Sequence, residues 1–378
     1  TFLNRLSGAV ELSRLMGVEQ PLWRLFRVDI FWLKGIDLLV FLGLGVAVVY
    51  MVGVDPWRPM SELRRTGSNL LLAFLLLCAM ALLTGYAALD LGKSRFQGML
   101  AFAPALGAAI AAGLMWRTRW AGEFSRKHLS IAALLAVLPH VYAFGTGNNY
   151  WQTGQTASMF WVLSGLTILM AAVPAKASWQ IFLPVAVVSQ WVAVVLLQVA
   201  LTQPYRQPEA LGQANSPVSI GAAHSKLLLS ADYARYVEAI EQTAARAGFR
   251  SGTPVIDLTG HSPGSLFVLG AHATGQAWLL GGYVGSDRYA AYVLARVSCA
   301  ELADAWILTE ESGPRKLSKA VLKRTGLELE QAFELVGEVR SPDGFGDYPK
   351  GSVQRLYRPS GAPKGRLEAC ELARAVLK

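Results

Sequence analysis

Six apolar runs dominate the first two hundred residues and limit what this chain can fold into. They cover residues 35–54, 70–89, 99–115, 129–144, 158–173 and 180–201. Each is close to the ~17–25 residues that cross a bilayer as an α-helix. We therefore expect a polytopic α-helical membrane domain over residues 35–202, with about six transmembrane helices. The third and fourth runs are short, which leaves open that one of them is a re-entrant helix.

The remainder of the chain has the composition of a soluble domain. Over the whole sequence 53% of residues are hydrophobic and only 16% are charged, whereas ordinary soluble domains are about 25% charged. The charged residues are concentrated after residue 202. Prolines and a glycine within residues 203–216 indicate a linker. Residues 217–378 are therefore expected to form a separate domain.

The first 34 residues alternate leucines and arginines at a roughly helical spacing. Such a basic amphipathic pattern, followed by Trp23, Phe31 and Trp32, predicts that residues 1–34 form an interfacial segment lying on the membrane. The alternative is a helix packed against the protein itself.

The formal net charge of +9 is best explained by basic residues that flank membrane segments. No run of Lys or Arg with interleaved aromatic residues occurs, so we do not expect nucleic acid as a partner. The expected partner is membrane lipid, and the sequence names no protein partner.

The charges of the loops predict the orientation of the chain. Residues 116–128 contain four Lys or Arg residues and one glutamate, whereas residues 145–157 contain no charged residue. Positively charged loops remain in the cytoplasm, which places residues 145–157 and the C-terminal domain outside. We expect a multi-pass protein of the bacterial inner membrane with residues 217–378 in the periplasm. The basic segment 1–34 fits this alternation only if a further span precedes it.

The stretch 139–155, P-H-V-Y-A-F-G-T-G-N-N-Y-W-Q-T-G-Q, joins two of the apolar runs and combines aromatic rings with amides. Ligand sites are typically lined by rings with a few polar groups, and this mixture suits a sugar-binding surface. The predicted substrate-binding residues are His140, Asn148, Asn149, Trp151 and Gln152. The alternative is an ordinary re-entry loop with aromatic anchors at the membrane interface, in which His140 is a neutral histidine bonded to a neighbouring helix.

In the C-terminal domain, short apolar strands alternate with helical patterns. Strands are predicted at 226–230, 254–258, 306–310 and 353–357, the last of them at a sheet edge. Helices are predicted at 231–247, 265–273, 287–303, 317–325, 329–336 and 367–377. This alternation predicts a soluble α/β domain with a largely parallel sheet.

The sharpest local feature of this domain is the turn D-L-T-G-H-S-P-G-S at 257–265. It leaves a strand and starts a helix, and amides and hydroxyls at such a position can hold a phosphate. The predicted ligand-binding residues are Thr259, Ser262, Gly264 and Ser265. The alternative is a capped turn in which Ser262 satisfies the helix start. A second glycine stretch, 281–287, would complete one pocket if it faces the first.

The three cysteines show no metal-ligand spacing, so we predict no metal site, and no particular cofactor is indicated. Cys78 lies inside an apolar run. Cys299 and Cys370 lie on predicted helices, each followed by Glu-Leu-Ala. Outside the cytoplasm two lone cysteines tend to pair, so we predict a disulfide between them. The alternative is two buried free thiols.

These features in this order resemble the C-terminal portion of GT-C-type membrane glycosyltransferases. The resemblance rests on the multi-span topology, the neutral loop F-G-T-G-N-N-Y-W at 144–151 and the appended domain. It implies transfer of a sugar from a polyprenyl-phosphate donor to an envelope acceptor at the outer face of the inner membrane. The catalytic acid of that family lies in an early external loop. We expect the chain beginning at Thr1 to be a fragment without that loop, so no catalytic residue is carried over.

A second hypothesis is a non-catalytic, membrane-anchored binding or assembly module for envelope polysaccharide. An acidic residue in an external loop upstream would favour the enzyme over this module. A transporter fits less well, because carriers place charged residues near the middle of the bilayer and these apolar runs are nearly free of charge.

Overall fold

The computed structural model describes residues 33, 35–53, 61–87, 97–117, 126–144, 149–173 and 178–376. The predicted amphipathic segment 1–34 therefore lies outside the described residues, apart from residue 33. The chain divides into two compact units between Leu201 and Thr202.

The first unit is helical. Its helices are α1 (Ile36–Val52), α2 (Glu62–Leu83), α3 (Phe102–Arg117), α4 (Arg126–Ala143), α5 (Tyr150–Gly154), α6 (Met159–Ala172) and α7 (Leu183–Thr202). Short 3-10 turns at Gln97–Ala101, Gln155–Ala157 and Trp179–Phe182 precede or follow them. Large apolar side chains such as Leu39, Val46 and Phe74 are more than 60% exposed. An extended apolar exterior of this kind marks a surface that contacts lipid or protein.

Three helices of the described residues are long and apolar enough to cross a membrane: Glu62–Leu83, Gln97–Arg117 and Trp179–Thr202. A fourth span results if α5 and α6, which are bent by 74° at their junction, are counted as one. Each of the six apolar runs contains a helix, but the prediction of about six transmembrane helices is not supported. The reasons are local: α1 has only 17 residues, and α4 begins with three basic side chains.

Small residues allow these helices to approach one another closely. A Cβ on Gly165 of α6 would lie 2.6 Å from Cα of Ala105 in α3, and a Cβ on Gly107 would lie 2.8 Å from the carbonyl oxygen of Gly45 in α1. Neither position has room for a side chain. Close backbone contact through small residues is a usual packing mode of membrane helices, and it places α3 in the middle of the unit's hydrophobic core.

The second unit is an α/β domain. Its strands are β1 (Ser216–Ile220), β2 (Ser225–Leu229), β3 (Pro254–Asp257), β4 (His272–Ala273), β5 (Trp306–Glu310), β6 (Phe333–Arg340) and β7 (Val353–Pro359). Its helices are α8 (Ala231–Arg246), α9 (Pro263–Val268), α10 (Ser286–Leu294), α11 (Cys299–Asp304), α12 (Ala320–Lys323), α13 (Leu329–Ala332) and α14 (Pro363–Val376).

The sheet is mixed rather than largely parallel. Its order is β4-β3-β5-β7-β6. The first three strands are parallel, whereas β7 pairs antiparallel with both β5 and β6. The strand predicted at a sheet edge, β7, is therefore an interior strand. The predicted strand 226–230 does not join this sheet, because β2 forms a separate antiparallel hairpin with β1.

Three predicted helices of this domain also differ from the structure. The predicted helix 287–303 is two helices, α10 and α11, separated by a turn at residues 295–298. The predicted helix 265–273 ends at Val268 and gives way to the short strand β4. The predicted helix 329–336 stops at Ala332, after which the chain enters β6. In the last two cases pairing with the sheet prevails over a helical pattern that spans only a few residues.

The two faces of the sheet bury separate hydrophobic clusters. Ile256, Leu258 and Ile307 face the cluster that includes α10 and α11, whereas Val255, Leu308 and Leu356 face α8 and α9. The alternation follows from the two-residue period of a strand. Side chains that follow Val255 and Leu308 in this alternation, Asp257 and Glu310, therefore lie at the carboxyl ends of parallel strands on the α8–α9 face.

A disulfide joins Cys299 and Cys370, the pair expected from the sequence. Their Cα atoms are 5.7 Å apart, and 71 residues separate them along the chain. Both side chains are buried. The bond connects α11 to the C-terminal helix α14, while Cys78 in the helical unit is free.

Candidate functional site

Four aromatic rings meet in the helical unit. The ring centroids of His140 and Trp151 are 4.6 Å apart, those of Trp151 and Trp161 are 5.9 Å apart, and that of Phe102 lies 5.3 Å from Trp161. Most of these contacts are edge-to-face or tilted, as aromatic rings prefer. We refer to His140, Trp151, Trp161 and Phe102 as the aromatic cluster.

The sequence following α4 explains how Trp151 reaches His140. The side-chain oxygen of Asn149 accepts hydrogen bonds from the backbone amides of Trp151 (2.9 Å) and Gln152 (3.2 Å) and so caps the short helix α5. Gly154 then packs against Pro139 of α4, where a Cβ would lie 3.1 Å from the carbonyl oxygen of Pro139. The cap at Asn149 and the lack of a side chain at Gly154 together allow α5 to pack against the end of α4.

The structure brings together only some of the predicted sugar-binding residues. His140 and Trp151 are brought together and are half-buried, with Gln152 beside them in α5. Asn149 uses its side-chain oxygen for the helix cap, and Asn148 lies outside the described residues. The sequence analysis missed Trp161 and Phe102, because both occur inside apolar runs where an aromatic residue gives no separate signal.

The aromatic cluster offers stacking surfaces and hydrogen-bonding groups, but it contains no carboxylate. Among the described residues before position 202, the carboxylates are Asp37 and Glu62, at the start of α1 and α2. No group of three or more His, Cys, Asp or Glu side chains that could hold a metal ion occurs in the described part of the chain. The arrangement is suited to binding a neutral, ring-shaped ligand.

A second candidate lies in the α/β domain, where a buried polar network joins three neighbouring strands. His261 Nε2 and Glu310 Oε2 are 2.9 Å apart, and both side chains are at most 3% exposed. The amide of Gln354 donates to Glu310 Oε2 (3.0 Å) and to Ser262 Oγ (3.2 Å). The register of β5 and β7 sets this contact, because Gln354 pairs directly with Glu310 across the sheet.

The ion pair determines the charge state of Glu310. Burial raises the pKa of this carboxyl, but the hydrogen bond and charge of His261, with hydrogen bonds from Ser352 and Gln354, outweigh burial and leave the pKa of Glu310 below its usual value. Glu310 is therefore an ionised acceptor at neutral pH, and its acceptor sites are occupied by protein donors.

Helix α8 packs on the same face of the sheet and contributes the hydroxyl of Tyr236 to the network. The hydroxyl of Tyr236 donates to Gln354 Oε1 (2.6 Å) and lies 2.7 Å from Ser265 Oγ. Burial raises the pKa of Tyr236, so this hydroxyl remains a proton donor throughout the physiological range. Tyr236 and Gln354 were not predicted to join the turn at 257–265, because each lies in an ordinary amphipathic pattern on a separate element of the chain.

Asp257 has a carboxylate oxygen that makes no hydrogen bond within the described residues. Its Oδ1 accepts hydrogen bonds from the amide (2.9 Å) and hydroxyl (2.6 Å) of Thr259. Its Oδ2 is buried and makes no hydrogen bond within the described structure. Burial, partly opposed by the two bonds from Thr259, raises the pKa of Asp257 from 3.8 to about 6.

The predicted phosphate-binding hydroxyls point inward. Thr259, Ser262 and Ser265 are at most 2% exposed, and their oxygens take part in hydrogen bonds within the domain. The prediction that Ser262 caps α9 is wrong, because its side chain makes no capping bond. The hydroxyl of Thr259 accepts instead from the amide of Ser262 (3.1 Å). Gly264 is exposed and has open space around it.

The two glycine stretches face each other but leave no pocket between them. The amide of Gly281 donates to the carbonyl oxygen of Gly260 (3.0 Å). A Cβ on Gly260 or Gly281 would lie 2.0 Å or 1.7 Å, respectively, from the carbonyl oxygen of Arg315. Three backbone segments therefore fill the space that a ligand would need. A groove of about 490 Å³ lies elsewhere in the domain, between α8 and β6.

Comparison with known proteins gives no assignment for either site: no protein family, curated protein or solved structure matches this chain significantly.

Proposed function

We propose that this protein binds a polyprenyl-phosphate-linked sugar through the aromatic cluster and transfers the sugar to an envelope acceptor. In this proposal the reaction takes place at the outer face of the bacterial inner membrane, with the C-terminal domain in the periplasm. The observation that carries the proposal is the meeting of the rings of His140, Trp151 and Trp161, with Gln152 following Trp151 in α5.

The chemistry of these groups supports a sugar ligand. The half-buried indole of Trp151 presents an apolar face on which a pyranose ring can stack, while the buried ring of Trp161 packs against it. An imidazole and an amide supply donors and acceptors for the hydroxyls of the sugar. Membrane-length apolar helices in the same unit give a polyprenyl chain an apolar environment next to the cluster. The buried network around His261 has no room for a ligand. We therefore assign it a structural role, that of stabilising the α/β domain.

A second candidate function is the non-catalytic module that binds or assembles envelope polysaccharide. One observation favours it: the aromatic cluster holds no carboxylate, and the two described carboxylates of the helical unit lie outside it. The two functions share the sugar site and differ in whether a sugar is transferred.

The test of the sugar site compares two tryptophan variants in purified full-length protein. Trp151→Ala removes a ring of the cluster, whereas Trp179→Ala removes a tryptophan that is 68% exposed in the same unit and outside the cluster. With a short-chain polyprenyl-phosphate sugar as ligand, Trp151→Ala should weaken binding by about two- to tenfold through the loss of stacking, because a stacked ring contributes roughly 0.5–1.5 kcal/mol beyond its buried area. Trp151→Phe should recover part of the loss.

Equal affinities for Trp151→Ala, Trp179→Ala and the wild type would refute the sugar site. Transfer is measured separately, as release of polyprenyl phosphate in the presence of envelope acceptor material. Binding without release in the wild type would reject the transferase and leave the binding module.

A further inference from the structure

The loop between β4 and α10 exposes a group of apolar and aromatic side chains. Trp278, Tyr283 and Val284 are 39%, 44% and 97% exposed. Val284, at the tip, is flanked by Tyr283 and Gly285, so almost nothing in the domain covers it. We call Trp278, Tyr283 and Val284 the exposed apolar tip.

The base of this loop is fixed even though its tip is open. The indole nitrogen of Trp278 donates to the carbonyl oxygen of Gly260 (3.1 Å), and Gly281 donates to the same oxygen. The amide of Tyr283 donates to Ser286 Oγ (3.0 Å). A tip held by three hydrogen bonds presents its apolar side chains to solvent as a stable feature of the fold.

Positive charge surrounds the tip. Arg315, whose guanidinium lies 5.9 Å from the ring centroid of Tyr283, is followed by Lys316, and Arg288 lies in the first turn of α10. The nearby acidic residue Asp287 accepts a hydrogen bond from the amide of Ser318. Arg288 and Arg315 therefore supply two positive charges near the tip, whereas the ammonium of Lys316 donates to the carbonyl oxygen of Glu311.

We propose that the exposed apolar tip docks into the surface of an anionic lipid bilayer, namely the membrane that holds the apolar helices of the same chain. Trp and Tyr rings settle at the level of lipid headgroups, and an aliphatic tip can enter the acyl boundary. Each arginine or lysine near an anionic surface adds attraction. The same chain carries membrane-length helices, so the bilayer is always present at a high effective concentration. This proposal does not depend on sugar binding.

The experiment places an environment-sensitive fluorophore at the tip of the full-length protein in nanodiscs. Val284→Cys in a Cys78→Ser background gives one labelling site and leaves the disulfide intact. Because Val284 is 97% exposed, the label disturbs no packing. A matched control carries the label at Leu372, which is 69% exposed on α14.

In nanodiscs containing phosphatidylglycerol, the label at position 284 should show blue-shifted emission and quenching by a lipid-soluble quencher, whereas the label at position 372 should remain in water. Neutralising Arg288 and Arg315 with glutamine should shift the docking equilibrium toward the undocked state by about fivefold per charge. Raising the salt concentration to about 0.5 M should act in the same direction, because screening shortens the range of the attraction.

Two outcomes would overturn the proposal. One is an aqueous environment for the label at position 284 in anionic nanodiscs. The other is a blue shift that grows with protein concentration in detergent and does not respond to lipid charge, which would assign the tip to a contact between protein copies.

Discussion

Replacing Asp257 by asparagine tests the energetic cost of the buried network. The wild-type carboxylate has one oxygen bonded to Thr259 and one buried without a partner. Asparagine keeps an oxygen acceptor for both Thr259 bonds and removes the titratable charge. The substitution therefore changes how the stability of the domain depends on pH while preserving its shape.

The sign of the pH dependence follows from the direction of the shift. The pKa of Asp257 is about 6 in the folded chain, above its ordinary value of 3.8. A raised pKa means that the folded state binds the proton more tightly than the unfolded state. The contribution of Asp257 is therefore most favourable below pH 3.8 and is lost as the pH rises through 6. Glu310, whose pKa is lowered, acts in the opposite direction in both proteins and cancels in the comparison.

The magnitude follows from these two pKa values. Ionising Asp257 lowers the folding equilibrium constant by a factor of about 15 at pH 5 and about 150 at pH 7.5, a tenfold change that corresponds to ~1.4 kcal/mol. The wild-type domain should lose this amount relative to Asp257→Asn over that interval. Comparing the two proteins across pH removes the constant cost of burying the new amide.

Hydrogen exchange with mass spectrometry on the full-length protein in detergent gives the measurement. The slowest amides of β5 report opening of the domain after correction for the intrinsic pH dependence of exchange. Peptides from α7 in the helical unit serve as an internal control, since their opening should be the same in both proteins. Parallel pH profiles for wild type and Asp257→Asn in β5 would refute the idea that this carboxyl is held in a costly ionised state.

Three further predictions concern the disulfide, the glycine contact and the orientation. Replacing Cys299 and Cys370 by serine should cost about 4 kcal/mol, since 71 residues separate the pair. Urea-dependent pulse proteolysis would measure this loss, and alkylation of two free thiols in wild-type protein from oxidising cells would contradict the bond. Gly281→Ala forces a Cβ into the carbonyl oxygen of Arg315 and should lower stability by roughly 1–3 kcal/mol, whereas Gly212→Ala, which meets nothing, should match the wild type in a thermal-shift assay. A reporter active only in the periplasm should give signal when fused to the C-terminus and none when fused after Arg126, and the reverse pattern would reject the proposed orientation.

Local patterns account for the features that the sequence predicted well. The apolar runs coincide with helices, because the length and composition of a run are properties of consecutive residues. Strands β3 and β5 were also predicted within a residue, since both are short, apolar and bounded by turns. His140 and Trp151 were both named from the sequence because they belong to one connecting stretch, and the structure brings their rings together.

Features that depend on pairing across the chain were missed. The number of apolar helices that qualify as spans depends on where the helix breaks between α5 and α6, which hydropathy alone does not locate. The interior position of β7 depends on its partners β5 and β6. Trp161 and Phe102 join the aromatic cluster only because α3, α4 and α6 pack together.

The amino-acid sequence by itself thus determined the division into an apolar helical part and an α/β domain. Apolar runs and strand–helix alternation depend only on residues that are close together in the sequence. The tertiary structure alone decided that Glu310, 49 residues further along the chain, pairs with His261, and that Gln354, another 44 residues on, donates to Glu310. It also decided that the hydroxyls of the predicted phosphate turn face inward. The physical reason is that a hydrogen-bond partner is selected by strand register and by which face of the sheet a side chain occupies, and both are fixed only when distant segments pair.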